Sequence, residues 1–461
     1  MAKARTVFAC QSCGYQAAKW LGRCPDCGTW DSLVEEVQNA PGIGPGEEKR
    51  RAARPLAEVQ TESTPRISSG IREFDRVLGG GVVPGSFVLV GGAPGIGKST
   101  LLLQVAGRLA DRLKPLLYVC GEESEVQVKL RAERLGLGAS SMLVVGEILT
   151  ERVLETAEEL QARAIVVDSI QALFSPALGS PAGTISQVRD AAHRLQRYSK
   201  ARDATVFAIG HVTKDGSLAG PKVLEHTVDT VLAFEGDRFH LQRILRATKN
   251  RFGPANELAV FTMHSDGLRA VQNPSALLLG ERGRPAPGSI VTCTLQGSQP
   301  LLLEVQALVA GGSEDGARRR VVGGCDFNRV ALLAAVLDKR AGVRLGSQDL
   351  FVNLAGGLEV EEPGIDLAIA AAVASSLQGR APEPDVVTFG EVGLGGELRG
   401  VAQAEARLRE ALALGFRRAV VPRVNAVGAP LGIEVLGLSN LRQAIEVLMA
   451  PWPRAPEPRE N

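Results

Sequence analysis

Ten residues constrain this chain more than any others. Gly91–Thr100 reads GGAPGIGKST, with Gly92 to Ser99 in the spacing GxxxxGK[ST]. Ahead lies a short apolar run, Ser86–Gly92 (SFVLVGG), which predicts a buried strand. Behind it Ser99–Leu113 (STLLLQVAGRLADRL) carries leucines at helical spacing. A glycine-rich turn between a strand and a helix presents successive backbone N–H groups, and the helix N-terminus adds a positive dipole end. Both favour phosphate oxygens. The expected cradle is Gly92, Ala93, Pro94, Gly95, Ile96, Gly97, Lys98, Ser99 and Thr100. Lys98 is placed to reach the terminal phosphates of ATP, and the Ser99 hydroxyl to hold Mg²⁺.

At 461 residues the chain is too long for one core and predicts two or three domains. Charged residues make up 22% and the net charge is +1, so any nucleic-acid contact must come from local patches rather than an overall basic field. The N-terminus, MAKARTVFAC, lacks an apolar signal core, and no apolar run approaches the ~20 residues that cross a bilayer. A soluble cytoplasmic protein without membrane contact is expected.

Four of the seven cysteines fall within the first 27 residues. Cys10 and Cys13 form CQSCG, and Cys24 and Cys27 form CPDCG. Four thiolates from two such turns close a tetrahedral structural Zn²⁺ site, which a segment of this size needs in place of a core. An iron–sulfur or rubredoxin-like iron site and a redox CxxC are the competing readings. Lys19, Trp20, Arg23 and Trp30 share the module, as contacts to DNA or protein or as its small core.

The expected organisation is a C4 zinc module over 1–33, a Pro/Gly-rich charged linker over 34–64, an ATPase domain over 65–272, a second α/β domain over 273–450 and a tail over 451–461. Predicted strands in the ATPase domain are Phe87–Val90, Pro115–Cys120, Ala164–Val167, Thr205–Ile209 and Thr230–Phe234. His240–Thr248 and Glu257–Met263 follow as an antiparallel extension.

Arg163–Asp168 (RAIVVD) is an apolar strand ending in a carboxylate, so Asp168 is expected beside the Mg²⁺. Ser169 follows it, and the water-activating base must come from elsewhere. Glu122, just past the strand Leu116–Cys120, is the candidate, with Glu123 as the alternative. VVDSI at 166–170, that carboxylate, and a strand ending in Gly210-His211 resemble the RecA recombinase ATPase core. The resemblance implies that His211 senses the γ-phosphate. It also implies that two long connections, Phe174–Gln187 and Val212–Asp229, face single-stranded DNA, with Lys214 and Lys222 as phosphate contacts and Arg189 and Arg197 on the following helix.

Lys249–Gly253 reads KNRFG after a basic strand (RILRAT), and it closely resembles a pentapeptide of the RadA (Sms) family of bacterial DNA-repair proteins. By analogy with RecA-type ATPases, Lys249 and Arg251 would stabilise a neighbour's γ-phosphate, which requires an oligomer; contact with DNA is the other role. From about Leu301 the chain resembles the proteolytic domain of Lon, at LLLEVQALV (301–309), EPGIDLAIAAAVAS (362–375) and GEVGLGGELRG (390–400). Gly364 and Glu405 stand where Lon carries its Ser and Lys, so peptidase chemistry is not expected, while the shape implies a six-membered ring. Arg318–Arg320, Lys339, Arg340 and Arg344 offer that ring a basic face, or a solvated one.

The expected fold class is α/β: an N-terminal C4 zinc module, a RecA-like P-loop core with a mostly parallel sheet, and a non-proteolytic Lon-protease-like domain. The resemblance implies a DNA-dependent ATP hydrolase that drives branch migration by helicase-like translocation on single-stranded DNA. Its implied partners are single-stranded and branched DNA, RecA-type recombinase filaments and copies of itself in a hexameric ring. The rival readings are an ATP-dependent Lon-type protease and a DNA-independent signalling ATPase.

Overall fold

The computed structural model describes residues 5–10, 15–26, 28–38, 65–211, 224–236, 242–280, 282, 285–311 and 319–452. Expectations for Cys13, Cys27, Lys214, Lys222 and Arg318 lie outside these residues, as do most of the linker and the end of the tail. The chain divides into two compact units, Met1–Val271 and Gln272–Asn461.

The first unit begins with a three-stranded antiparallel sheet, β1 (Arg5–Cys10), β2 (Gln16–Ala17) and β3 (Leu33–Gln38), in the order β2-β1-β3. The expected linker start at Val34 is therefore too early. LVEEVQ continues through six register pairs with β1, ending at Arg5↔Gln38. Trp20 and Trp30 are 53% and 69% exposed, so they do not form the small core, which is built from Cys10, Cys24 and Leu33.

After α1 (Arg72–Val77) comes a nine-stranded sheet. Its strands are β4 (Phe87–Gly92), β5 (Leu116–Cys120), β6 (Leu143–Val145), β7 (Ala164–Asp168), β8 (Thr205–His211), β9 (Thr230–Glu235), β10 (Gln242–Asn250), β11 (Leu258–His264) and β12 (Gly267–Ala270). They run in the order β12-β11-β10-β9-β4-β8-β7-β5-β6. Strands from β9 to β6 pair in parallel, and β10 to β12 add antiparallel. The central strands β4, β5 and β7 are buried at every residue, because helices cover both faces of a parallel sheet. Those helices include α2 (Lys98–Leu109), α3 (Glu125–Arg134), α4 (Thr150–Glu159) and α5 (Ile185–Arg202). Ser124 caps α3 through a capping box with Gln127, which fixes where the chain leaves the loop after β5.

Phe174–Gln187 is less open than expected. Pro176–Leu178 forms a 3-10 turn, and Gln187 already belongs to α5. The buried Gln187 side chain accepts from Ser175 N (2.8 Å) and donates to the carbonyls of Ser175 (3.0 Å) and Ser180 (2.8 Å). One side-chain amide thus satisfies backbone groups that would otherwise need solvent.

The second unit is a seven-stranded mixed sheet with packed helices. β13 (Ser289–Gln296), β14 (Gln299–Ala310), β15 (Arg320–Gly323), β16 (Asp349–Leu354), β17 (Val386–Thr388), β20 (Arg418–Pro422) and β21 (Glu434–Leu438) follow the order β15-β16-β14-β13-β17-β20-β21. β18 (Glu391–Val392) and β19 (Leu398–Arg399) form a separate hairpin. The Ala-rich helix Asp366–Gln378 is buried from Asp366 to Ser375 and forms the centre of the unit. Gly364 sits in the 3-10 turn before it, and Glu405 in the first turn of the helix Ala404–Ala413, paired with Arg409.

Beside Gly364 lies an ion pair between a fully buried arginine and a part-buried glutamate. The fully buried Arg407 pairs with Glu362 and donates to Cys293 O (2.6 Å) and Ala402 O (3.0 Å). Glu362 also accepts from Thr294 Oγ1 and Leu295 N, both at 2.7 Å. Arg407→Leu takes the cation from Glu362, which is 23% exposed and keeps the donors Thr294 and Leu295, and is expected to cost the unit about 1–3 kcal/mol. Urea unfolding followed by fluorescence of the buried Trp452 checks this, and the Glu362→Leu/Arg407→Leu double variant should recover much of the loss.

Candidate nucleotide site

The P-loop leaves the carboxyl end of β4 and enters α2 through Gly97, whose φ is 116°. That backbone angle favours glycine, while the nearest atom to an added Cβ, Met263 Cε at 2.7 Å, is the movable end of a flexible side chain. Lys98 is buried and its Nζ donates to the carbonyls of Gly92 (2.8 Å) and Ala93 (2.9 Å). Burial pulls its pKa down, and the negative charges of Asp168 and Glu122 oppose that shift.

β8 lies between β4 and β7, and across it Ser99 and Asp168 meet. Ser99 Oγ donates to Asp168 Oδ1 at 3.1 Å. The other carboxylate oxygen, Oδ2, accepts from Tyr118 OH at 2.8 Å. Burial raises the Asp168 pKa, while the hydrogen bonds from Tyr118 and Ser99 hold it down. Tyr118 reaches Asp168 because β5 and β7 are neighbours in register, with Cys120 opposite Asp168. Composition and spacing did not single out Tyr118. The available signal was a phenol in an otherwise apolar strand, LLYVC, where a buried hydroxyl must find a partner.

Glu122 and Glu123 are told apart by their neighbours. Glu122 accepts from Ser169 Oγ and lies close enough to Lys98 to affect its ionisation. Glu123 is paired with Arg131 of α3. The backbone of His211 pairs with Gly92 at the mouth of the loop; its side chain is outside the described residues. A second residue missed in the sequence is Arg243, buried on β10, whose Nε donates to the P-loop carbonyl of Ile96 at 3.2 Å.

Lys249 and Arg251 lie at the far end of β10, where they join a different cluster. Lys249 Nζ donates to the carbonyls of Glu225 and Val228, the latter at 2.9 Å. Arg251 pairs with the buried Asp229 at 3.2 Å, and Asp229 also accepts from Lys200 Nζ (2.8 Å) and Phe87 N (3.0 Å). Asn250 Oδ1 accepts from Phe252 N at 3.0 Å. Gly253 packs on Gly79 so closely that its Cβ would stand 2.9 Å from the Gly79 Cα. Arg189 and Arg197 lie on α5 as expected.

In the N-terminal module Cys10 and Cys24 are fully buried in one cluster. Their backbones close tight turns: Cys10 N donates to Tyr15 O (2.8 Å) and Cys24 N to Thr29 O (2.9 Å). Two buried thiols brought together with almost no apolar core around them suit thiolate ligation of a metal. Among the described residues no helix is long and apolar enough to cross a membrane.

Comparison with known proteins places each part. Residues 8–35 match the family described as a rubredoxin metal binding domain, 52–217 an AAA domain, and 328–425 subunit ChlI of Mg-chelatase. The chain is thus a metal-binding ribbon, a RecA-like P-loop domain and a Lon-like α/β domain. Over nearly its whole length it is similar to proteins named DNA repair protein RadA. One from Bacillus subtilis is 46% identical, with 96% of this chain and 99% of the relative covered. One from Pseudomonas aeruginosa is 49% identical, with 97% and 100% covered. One from Synechocystis is 44% identical, with 97% and 95% covered. With such identity running through every part of the chain, the protein belongs to the DNA repair protein RadA family.

Proposed function

We propose that the chain is a DNA-dependent ATPase that processes recombination intermediates, moving branches by translocating on single-stranded DNA as an oligomeric ring. The observation that carries the reading is the meeting of Lys98, Ser99, Asp168 and Glu122 at the carboxyl ends of the parallel strands β4, β7 and β5, in a chain of this family. Ligands of open α/β sheets bind at that edge.

In this reading Gly92–Thr100 enclose the phosphates, and Lys98 exchanges the carbonyls of Gly92 and Ala93 for phosphate oxygens. Ser99 and Asp168 hold the Mg²⁺, which neutralises phosphate charge during transfer. Glu122 orients and deprotonates the attacking water. The engagement of Glu123 with Arg131 favours Glu122 for this role. His211 reports the γ-phosphate to the segment that follows β8. Lys249 and Arg251 act on a neighbour's triphosphate, held at the end of β10 by Val228 and Asp229 in the single subunit. Lys214 and Lys222, with the basic end of β10, track DNA phosphates. Cys10, Cys13, Cys24 and Cys27 hold a structural zinc. The partners are single-stranded and branched DNA, RecA-type filaments and five further copies of the chain.

ATP turnover with and without single-stranded DNA tests the reading. DNA should raise it; turnover indifferent to DNA would overturn DNA coupling. Lys98→Ala should lose at least ten-fold in nucleotide affinity, about 1.4 kcal/mol. Lys249→Ala should keep that affinity and lose turnover on the scale of an arginine finger, about 10³-fold. Normal unwinding by the second variant would refute the role given to Lys249.

The zinc assignment has its own check. Cys24→Ser should lower metal content, measured on the purified chain, from about one zinc to near zero. The P-loop domain, which has its own large core, should keep its nucleotide affinity.

A further inference from the structure

Asp168 has two oxygens and needs them for different things. Oδ1 faces Ser99 and the phosphate side, whereas Oδ2 faces into the sheet, where Tyr118 meets it at 2.8 Å. Tyr118 is fully buried, and its ring fills space in the core that Phe or Leu would also fill. Only its hydroxyl calls for a separate explanation. That hydroxyl donates to a carboxylate, which when ionised can only accept. Turning the Asp168 side chain would leave both groups unpaired in an apolar layer, at the cost of a buried unsatisfied donor. We infer that Tyr118 is a positioning residue: its hydroxyl fixes the Asp168 rotamer, so that Oδ1 alone is presented with Ser99 to the nucleotide-bound divalent cation.

The inference rests on the nucleotide-site reading and adds a residue from a strand that carries none of the P-loop. Hydrogen bonds of this kind, from outside to a group serving a metal, set ligand orientation, and losing one typically weakens metal affinity 10–100-fold. Mg²⁺ itself keeps several waters and tolerates little departure from octahedral geometry, so a loosened carboxylate is felt strongly.

The test uses full-length Tyr118→Phe, which removes one oxygen and keeps the ring. A fluorescent ADP analogue gives affinity in EDTA and then along a Mg²⁺ titration, and Mn²⁺ binding to the ADP complex is followed by electron paramagnetic resonance. The expected result is unchanged affinity in EDTA, a metal midpoint raised roughly 10–100-fold, and turnover restored by raising Mg²⁺. A midpoint within two-fold of the unsubstituted chain overturns the inference. A general packing defect would instead weaken nucleotide binding in EDTA and would not respond to metal, and that result also overturns it. Asp168→Asn provides the second arm. Adding Tyr118→Phe to it should produce no further shift, since the two act as one unit; additive shifts would refute the coupling. Absence of metal-dependent nucleotide binding in the unsubstituted chain would overturn the site reading itself, and this inference with it.

Discussion

A carboxylate withdrawn from water at the end of β7 is the constraint around which the nucleotide site is arranged. Burial alone would favour its neutral form, which cannot serve a cation. Two hydroxyls, from β5 and from the first turn of α2, oppose that tendency. Because the two donors come from elements far apart in sequence, the charged state of Asp168 is tied to the strand order itself. β7 must stand beside β5 for Tyr118 to reach it and one strand from β4 for Ser99 to reach it. Topology and electrostatics are here one requirement.

Asp229 repeats the arrangement at the opposite end of the strands. It is buried, ties Phe87 N at the start of β4, and collects the cations of Lys200 and Arg251. β4 therefore runs from a carboxylate hub at one end to the P-loop at the other, while β10 runs from Arg243 under the P-loop to Lys249 beside that hub. Two strands span the same pair of sites. The shape of the KNRFG segment follows from its letters: Asn250 accepts from Phe252 N, and Gly253 allows close contact with Gly79.

The parts legible in the sequence were those written in local pattern. The P-loop spacing, the apolar strands and the strand-ending Asp168 each report a local backbone requirement, and β4, β5, β7 and β8 appear within two residues of their expected ends. What escaped was set by neighbours distant in sequence. The edge strands β6 and β12 are three and four residues long, too short for periodicity to register. Tyr118 and Arg243 look like ordinary members of their strands until the sheet order places a carboxylate or a loop carbonyl beside them. Gln187 read as loop because nothing local reveals that its amide closes the turn before α5. Trp20 and Trp30 were open to reading as core because hydrophobicity alone does not say which side of a tiny sheet faces water.

The Lon-like unit carries a tightly held carboxylate just before its central helix. At Gly364 an added Cβ would stand 2.9 Å from Glu362 Oε1 and 3.4 Å from Arg407 Nη1. A serine there would press its Cβ against a carboxylate already fixed by Arg407, Thr294 and Leu295. Removing the carboxylate to make room leaves Arg407, fully buried, with an unpaired charge. A larger residue at Gly364 therefore meets a clash, and loss of Glu362 leaves an uncompensated ion. The ion pair fills the space beside Gly364 and ties together the strand residues Cys293, Thr294 and Leu295 around it.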